Sequence, residues 1–361
     1  MNIVLFAGGV GSRLWPLSRK NAPKQFGKII ADRSMLQIAV HKLFPEFNWE
    51  DVYISTGIHY RSHIVEQLPQ LPEENIIVEP EMRDVGPAVG LVVAQFVKTH
   101  PDEPIVLLWG SDHLVKKEAI FRKMLRAAEK LVKKDPNKIV FIGQKPRFAN
   151  QNLGYIAYGK EVNVVDGFPV NEFTHFKYRP DIEKAREYAT DNKHAWNLGY
   201  FATTPRFLWK LFEEFSPELF AKLKKIHDAY GTEKYEEVLN KVYPTLEKIS
   251  FDDAILEKMD PHEGLVLSSD IGWSDIGAWE ALKEALSDKV EANVTKGKIL
   301  LENCSDSILH NETKQLIVGI DLKEMIVVSM DDVILICPKD SVPKVKEFVK
   351  NLNGTSYEHL V

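Results

Sequence analysis

The stretch Asn2-Ile3-Val4-Leu5-Phe6-Ala7-Gly8-Gly9-Val10-Gly11-Ser12-Arg13 decides the fold class. An apolar run that stops at a glycine cluster reads as a buried strand ending in a tight loop. Glycines at the C-terminal end of such a strand let backbone N–H groups close on an anion, where open α/β sheets take their ligands. Leu14 stands where a dinucleotide fingerprint needs its third glycine, and no Gly-Lys-Ser/Thr ends the loop as in a P-loop. What remains is a glycine turn with Arg13, Arg19 and Lys24 close behind it, three cations able to neutralise a triphosphate. A tight turn followed by a solvated basic loop is the alternative.

Working outward, short apolar runs alternate with helical patterns over the first half. Strands are expected at Asn2 to Phe6, Asp51 to Ser55, Asn75 to Glu79, Ile105 to Trp109 and Lys138 to Gly143. Helices are expected at Met35 to Phe44, Tyr60 to Leu68, Gly86 to Thr99 and Ala119 to Lys134. Such alternation predicts an α/β fold with a mostly parallel central sheet and helices on both faces. From about Leu153 hairpin-like runs (Gly154 to Tyr158, Val162 to Val165, Asn171 to Phe176) and a strand at Leu198 to Thr203 elaborate one wall of a pocket. After about Leu286 come short strands and a terminal helix at Ser341 to Leu352. Domains are therefore expected at 1–288 and 289–361, and no multi-copy repeat is legible.

The chain has 361 residues, 46 basic and 52 acidic side chains, a formal charge of −6 and 44% apolar residues. Those numbers suit a soluble globular protein and exclude a disordered, collagen-like or disulfide-built one. The acidic balance argues against nucleic acid as a partner. Two cysteines without metal or redox spacing, no basic leader and no long apolar run imply a cytoplasmic protein with no membrane partner.

Asp112 follows the apolar run Leu107-Leu108-Trp109 and Asp275 lies in Trp273-Ser274-Asp275-Ile276-Gly277-Ala278-Trp279. Two carboxylates with phosphate oxygens are a usual Mg²⁺ set. Taken alone, Asp112 serves a turn equally well, and Asp275 with Ser274 a helix cap. In Glu79-Pro80-Glu81-Met82-Arg83-Asp84-Val85-Gly86-Pro87-Ala88, Glu79 can accept from the N1–H and exocyclic amine of guanine together, or cap or pair with Arg83. Gly154, Tyr155, Glu172, Asn197 and Asp252 are polar or small residues fit to meet sugar hydroxyls, and each alone reads equally as a turn or surface group.

Gly8 to Arg19 with Pro23 and Lys24 resembles the signature of sugar-phosphate nucleotidyltransferases, and Leu14-Trp15-Pro16-Leu17-Ser18-Arg19 with Pro23-Lys24-Gln25-Phe26 resembles the branch that makes GDP-mannose. The resemblance spans nearly the whole chain. It implies a Rossmann-like nucleotidyltransferase domain with a mostly parallel sheet, plus a small C-terminal β domain formed as a short β-helix-like coil. It implies transfer of GMP from GTP to α-D-mannose 1-phosphate, giving GDP-mannose and pyrophosphate. The alternatives are another hexose 1-phosphate or base, such as glucose 1-phosphate with a pyrimidine nucleotide, or a non-catalytic nucleotide-sugar sensor.

Under the resemblance, Arg13 and Lys24 are catalytic, and Ala7, Gly8, Gly9, Gly11, Ser12, Glu79, Arg83, Pro87 and Ala88 bind the nucleotide. Gly154, Tyr155, Glu172, Arg179, Asn197 and Asp252 bind the sugar phosphate, and Asp112 and Asp275 hold Mg²⁺. The sequence departs from the family at Tyr178 and Arg179, where Glu and Lys are usual, and at Asp84-Val85-Gly86, where Asn-Thr-Ala is common. A homodimer is expected through the β domain. The cupin-like isomerase domain of longer relatives has no counterpart here, so isomerase activity is not expected.

Overall fold

The computed structural model describes residues 1–9, 14–19, 22–277, 279–287, 289 and 291–361, with Glu280 described by its backbone. In chain order the strands are β1 (Asn2–Phe6), β2 (Val52–Gly57), β3 (Ile76–Glu79), β4 (Ile105–Leu108), β5 (His113–Val115), β6 (Ile139–Gln144), β7 (Tyr155–Val165), β8 (Phe168–Lys177), β9 (His194–Thr203), β10 (Gly264–Ser269) and β11 (Trp273–Asp275). They continue as β12 (Val294–Lys296), β13 (Ile299–Glu302), β14 (Ile308–Asn311), β15 (Ile317–Ile320), β16 (Met325–Ser329) and β17 (Ile334–Pro338). The helices are α1 (Met35–His41), α2 (Arg61–Gln67), α3 (Val85–Thr99), α4 (Glu118–Lys134), α5 (Ile182–Tyr188), α6 (Pro205–Phe215), α7 (Pro217–Ala229), α8 (Tyr235–Val242), α9 (Trp279–Leu286) and α10 (Val342–Asn351).

One compact unit comprises Met1–Gly8, Lys42–Ser111 and Val115–Trp273. Its sheet runs β3-β2-β1-β4-β9-β6-β10-β8-β7. β3, β2, β1 and β4 pair in parallel, as do β6 and β10, while β9 enters antiparallel between β4 and β6. Strands β1 to β4, β6 and β10 thus share one direction, and their carboxyl ends form the edge where such sheets bind ligands. β1 and β4 are buried along their whole length because helices cover both faces, which explains their unbroken apolar runs. Val89, Val92, Val93 and Phe96 of α3 join Val4, Phe6 and Leu107 in one core. α3 packs closely on α7 at Gly90, where a Cβ would lie 2.4 Å from Leu223 Cδ1. Asp84 caps α3 by accepting from the Val85 N–H.

The second unit comprises Gly9–His41, Asp112–Leu114 and Ser274–Val361. It brings distant stretches into one core: Leu14, Ile29 and Met35 pack with Trp279, Leu282, Ile308, Ile326 and Val328. Burying each such side chain contributes roughly 1.5–3 kcal/mol, which is why the glycine-loop segment groups here. Trp15 extends the packing with Val345, Val349 and Leu360, and its indole N–H donates to the Leu360 carbonyl at 2.7 Å.

The C-terminal strands wind as a coil. β12, β14 and β16 pair in parallel with β17 antiparallel at the edge, and β13 pairs in parallel with β15 as a second sheet. Ile299 lies opposite Ile317 and Ile308 opposite Ile326, and the Asn303–Asp321 hydrogen bond spans the same 18-residue interval. Asn303, Asp306, Asp321 and Glu324 turn the corners with φ of 50–55°. The coil thus contains a repeat that sequence reading did not detect, since its shared features are two aliphatic positions and polar corners rather than identical residues.

Candidate active site

In the second unit Lys24 opens a single turn of 3-10 helix after Pro23, and its backbone N–H donates to Ser18 Oγ at 3.1 Å. Its ammonium forms an ion pair with Asp112 and donates to the Ile276 carbonyl at 3.2 Å. Both side chains are largely shielded, with exposures of 13% for Lys24 and 17% for Asp112. Burial pushes the Asp112 carboxyl up, but the Lys24 charge, then that of His113, outweighs it and holds the group below its ordinary value. Asp112 is therefore an ionised oxygen donor. It immediately precedes β5, Asp275 ends β11, and these strands pair as a two-stranded ribbon. Just beyond the ribbon the Lys116 and Lys117 N–H groups donate to the Gly272 and Ile271 carbonyls at 3.2 and 3.0 Å.

Gly9 has a φ of +94°, and among the described residues no atom lies within 4 Å of the place a Cβ on Gly8 or Gly9 would occupy. Both glycines are exposed. The buried Gln25 amide holds the loop by donating to the Gly9 carbonyl at 3.1 Å. The expected site residues Gly11, Ser12 and Arg13 lie outside the described residues. Ala7 is wholly buried, its carbonyl accepting from Thr56 Oγ1 at 2.9 Å. Arg19, one of the three cations expected beside the glycine turn, grips Asp332 through two hydrogen bonds of 2.6 Å and donates to the Pro16 carbonyl. Its partner stands 313 residues away in the chain, beyond the reach of spacing arguments.

In the first unit Glu79 ends β3 with 7% of its surface exposed, and its Oε2 accepts from the Tyr243 hydroxyl at 2.6 Å. Burial pushes its carboxyl up to about 7, with the Tyr243 hydrogen bond pulling the other way. Arg83 pairs with Glu81 at 2.9 Å rather than with Glu79. Pro87 and Ala88 are buried in the first turns of α3. Gly86 beside them donates to the Ile249 carbonyl at 3.0 Å, and a Cβ there would stand 2.6 Å from that oxygen. This close approach fixes the 249–252 segment.

On the same unit the Asn197 N–H donates to the Gly154 carbonyl at 2.9 Å, which joins two of the expected sugar residues. Gly199, at φ +66°, lets Trp109 come within 2.5 Å of a hypothetical Cβ. Trp109 in turn meets Phe251 edge-on at 5.9 Å, next to Asp252. Trp109 and Phe251 thus form an aromatic floor between the segment carrying Asn197 and Gly199 and the one carrying Asp252. Burial pushes the Asp252 carboxyl up to about 6, and the charges of Asp253, Glu257 and Asp84 add to the rise.

Two expected sugar residues stand apart. Tyr155 is wholly buried and its hydroxyl both donates to and accepts from the Asn150 backbone at 3.0 and 3.1 Å. Glu172 lies opposite Leu265 at the start of β10, whereas Asn197 lies opposite Gly143 near the end of β6. Since β6 and β10 are parallel, Glu172 is at the far end of the sheet, where it pairs with Lys160 at 3.4 Å. Arg179 has its guanidinium 5.0 Å from the ring of Tyr178, which is 71% exposed and touches the Gly154 position.

Among the described residues no three His, Cys, Asp or Glu side chains gather to hold a metal. The pair Asp112 and Asp275 fits Mg²⁺ by donor chemistry, because that ion takes one or two carboxylates and completes its shell with water and substrate phosphates. Among residues not foreseen, Gln25 was visible inside a quoted motif, whereas nothing local marked Tyr243.

A family model described as Nucleotidyl transferase matches residues 2–292, and one described as MannoseP isomerase/GMP-like beta-helix domain matches residues 302–352. An Escherichia coli mannose-1-phosphate guanylyltransferase is 31% identical over 358 residues, 97% of this chain and 75% of that protein. One from Salmonella muenchen is 30% identical over 357 residues, 98% of this chain and 73% of that protein. The crystal structure named as mannose-1-phosphate geranyltransferase from Thermus thermophilus matches with a TM-score of 0.86 at 26% identity, covering 98% of this chain and 99% of that one.

Proposed function

Because the chain belongs to the nucleotidyl transferase family, we propose that it transfers GMP from GTP to α-D-mannose 1-phosphate, giving GDP-mannose and pyrophosphate. The observation that carries this reading is the shielded Lys24, held between the Asp112 carboxylate and the Ile276 carbonyl in the unit that also contains Gly9 and Asp275. The names of its relatives supply the base and the sugar.

An oxygen of the sugar phosphate attacks the α-phosphorus of GTP in line. The new P–O bond forms as the bond from the α-phosphorus to the bridging oxygen breaks, and that electron pair leaves with pyrophosphate. A phosphate monoester is already ionised near neutral pH, so no strong base is needed and catalysis is positioning with charge neutralisation. Backbone N–H groups of Gly8 and Gly9 cradle phosphate oxygens, joined by Gly11, Ser12 and Arg13 of the same loop. Lys24 neutralises charge on the reacting phosphates. Asp112 and Asp275 would hold Mg²⁺, whose chemistry when bound is neutralisation of phosphate charge. Glu79 reads the base, with Arg83, Pro87 and Ala88 in the wall behind it. Gly154, Asn197 and Asp252 meet the sugar hydroxyls, and Arg179 binds its phosphate bidentately.

A homodimer is the proposed assembly. Leu300, Val318 and Ile320, each 58–60% exposed on one face of β13 and β15, favour it. A cytoplasmic location agrees with a sequence holding just two cysteines, Cys304 and Cys337. Among the described residues no helix is long and apolar enough to cross a membrane. The purified chain incubated with GTP, mannose 1-phosphate and Mg²⁺ is expected to yield GDP-mannose identifiable by mass, and failure to form any nucleotide sugar contradicts the proposal.

A further inference from the structure

Tyr243 has no part in the scheme above. It follows α8 in the 3-10 turn Tyr243–Thr245, with Pro244 in the first turn, and is wholly buried in the same core as Leu239 and Leu246. From that apolar setting its hydroxyl reaches Glu79 Oε2 at 2.6 Å. Burial, then the Glu79 charge, pushes the phenol well above its ordinary value, so it acts as a donor. Among the described residues Glu79 accepts no other side-chain hydrogen bond, and Oε1 remains for a group from outside the chain.

A carboxylate rotates broadly about its last torsion unless something fixes it. One short bond from a rigid aromatic side chain defines the plane of the group. Guanine offers N1–H and an exocyclic amine side by side, and only a carboxylate in the base plane meets both. Each oxygen has two lone pairs, so Oε2 can serve Tyr243 and the base together. We propose that Tyr243 is a positioning residue for base selection, orienting Glu79 so that both guanine donors are met at once. This rests on the reading that Glu79 contacts the base.

The test compares GTP, ITP and ATP as substrates for the wild type, Glu79→Gln and Tyr243→Phe. Hypoxanthine keeps N1–H but lacks the amine, so the ratio of kcat/KM for GTP over ITP isolates the second hydrogen bond. Tyr243→Phe preserves the ring and its packing. It is expected to leave kcat at saturating GTP within about twofold, raise KM for GTP, and shrink the GTP/ITP ratio about fivefold to tenfold, the net scale of one ordinary hydrogen bond. Glu79→Asp, which withdraws the carboxylate from the hydroxyl without removing its charge, is expected to shrink the ratio similarly. A collapsed ratio in Glu79→Gln with an unchanged one in Tyr243→Phe overturns the role of Tyr243 alone. An unchanged ratio in Glu79→Gln overturns the base contact, and the positioning role with it.

Discussion

Glutamine in place of Glu79 removes a titration while keeping the shape of the side chain. Glu79 is 7% exposed, and burial lifts its carboxyl from 4.5 to about 7. Between those values the folded chain holds a proton that the unfolded chain releases, so stability falls as pH rises through this window. Below about pH 4.5 both states are protonated and the penalty vanishes; above about pH 7 it is complete. At 1.36 kcal/mol per pKa unit the full effect is about 3 kcal/mol, and an amide, which still needs its own partners, recovers about 1–3 kcal/mol of it. Tyr243 can donate to the amide oxygen as it does to the carboxylate. Thermal melts of both proteins at matched ionic strength are expected to differ little near pH 4.5 and to favour Glu79→Gln by several degrees near pH 8. At pH 8 the same variant is expected to lose at least about tenfold in kcat/KM for GTP. A gain in stability that does not depend on pH, or a loss at pH 8, refutes the argument that a buried carboxylate is kept there at a cost to folding.

Lys24→Ala is expected to lower kcat by about 100-fold or more, with the far-ultraviolet circular dichroism unchanged; a near wild-type rate removes Lys24 from the chemistry. Asp112→Asn and Asp275→Asn are each expected to raise the Mg²⁺ concentration for half-maximal rate about tenfold or more, read from metal titrations of initial rate. Unaltered metal dependence in both variants contradicts the carboxylate assignment. Arg19→Ala breaks the two-bonded pair with Asp332 and is expected to cost about 1 kcal/mol in denaturant unfolding, while KM for GTP stays within about twofold of wild type; a large rise in KM would restore Arg19 to the phosphate site.

Much of the first unit was legible because its signals are local. β1 matches the expected Asn2 to Phe6, and β2, β3, β4 and β6 fall within two residues of the expected bounds, since continuous apolar runs between turn residues leave little ambiguity. β10 was not foreseen. Its apolar core is only Leu265-Val266-Leu267, and it becomes a strand by pairing with β6 and β8, with Phe173 packed where a Cβ on Gly264 would stand. The two expected hairpin pieces from Gly154 to Val165 form one strand, β7, because its irregular pairing with β8 carries the chain through exposed Gly159-Lys160-Glu161.

At the site, Lys24, Asp112 and Asp275 were legible as motifs, yet only the fold shows Lys24 touching Asp112. The pairing of Arg19 with Asp332 was not legible, because charge spacing says nothing about a partner so far along the chain. The Tyr155 side chain is turned into the core, and Glu172 lies at the opposite end of the sheet from Asn197. Side-chain direction along β8 depends on register, which a single sequence does not fix.

The most direct measurement is the initial rate of pyrophosphate release across a panel of GTP, ATP, UTP and dTTP, each with mannose 1-phosphate or glucose 1-phosphate and Mg²⁺. The expected result is a rate with GTP and mannose 1-phosphate at least about tenfold above every other pair, abolished by chelation. Equal or faster release with a pyrimidine nucleotide and glucose 1-phosphate, or no release from any pair, contradicts it.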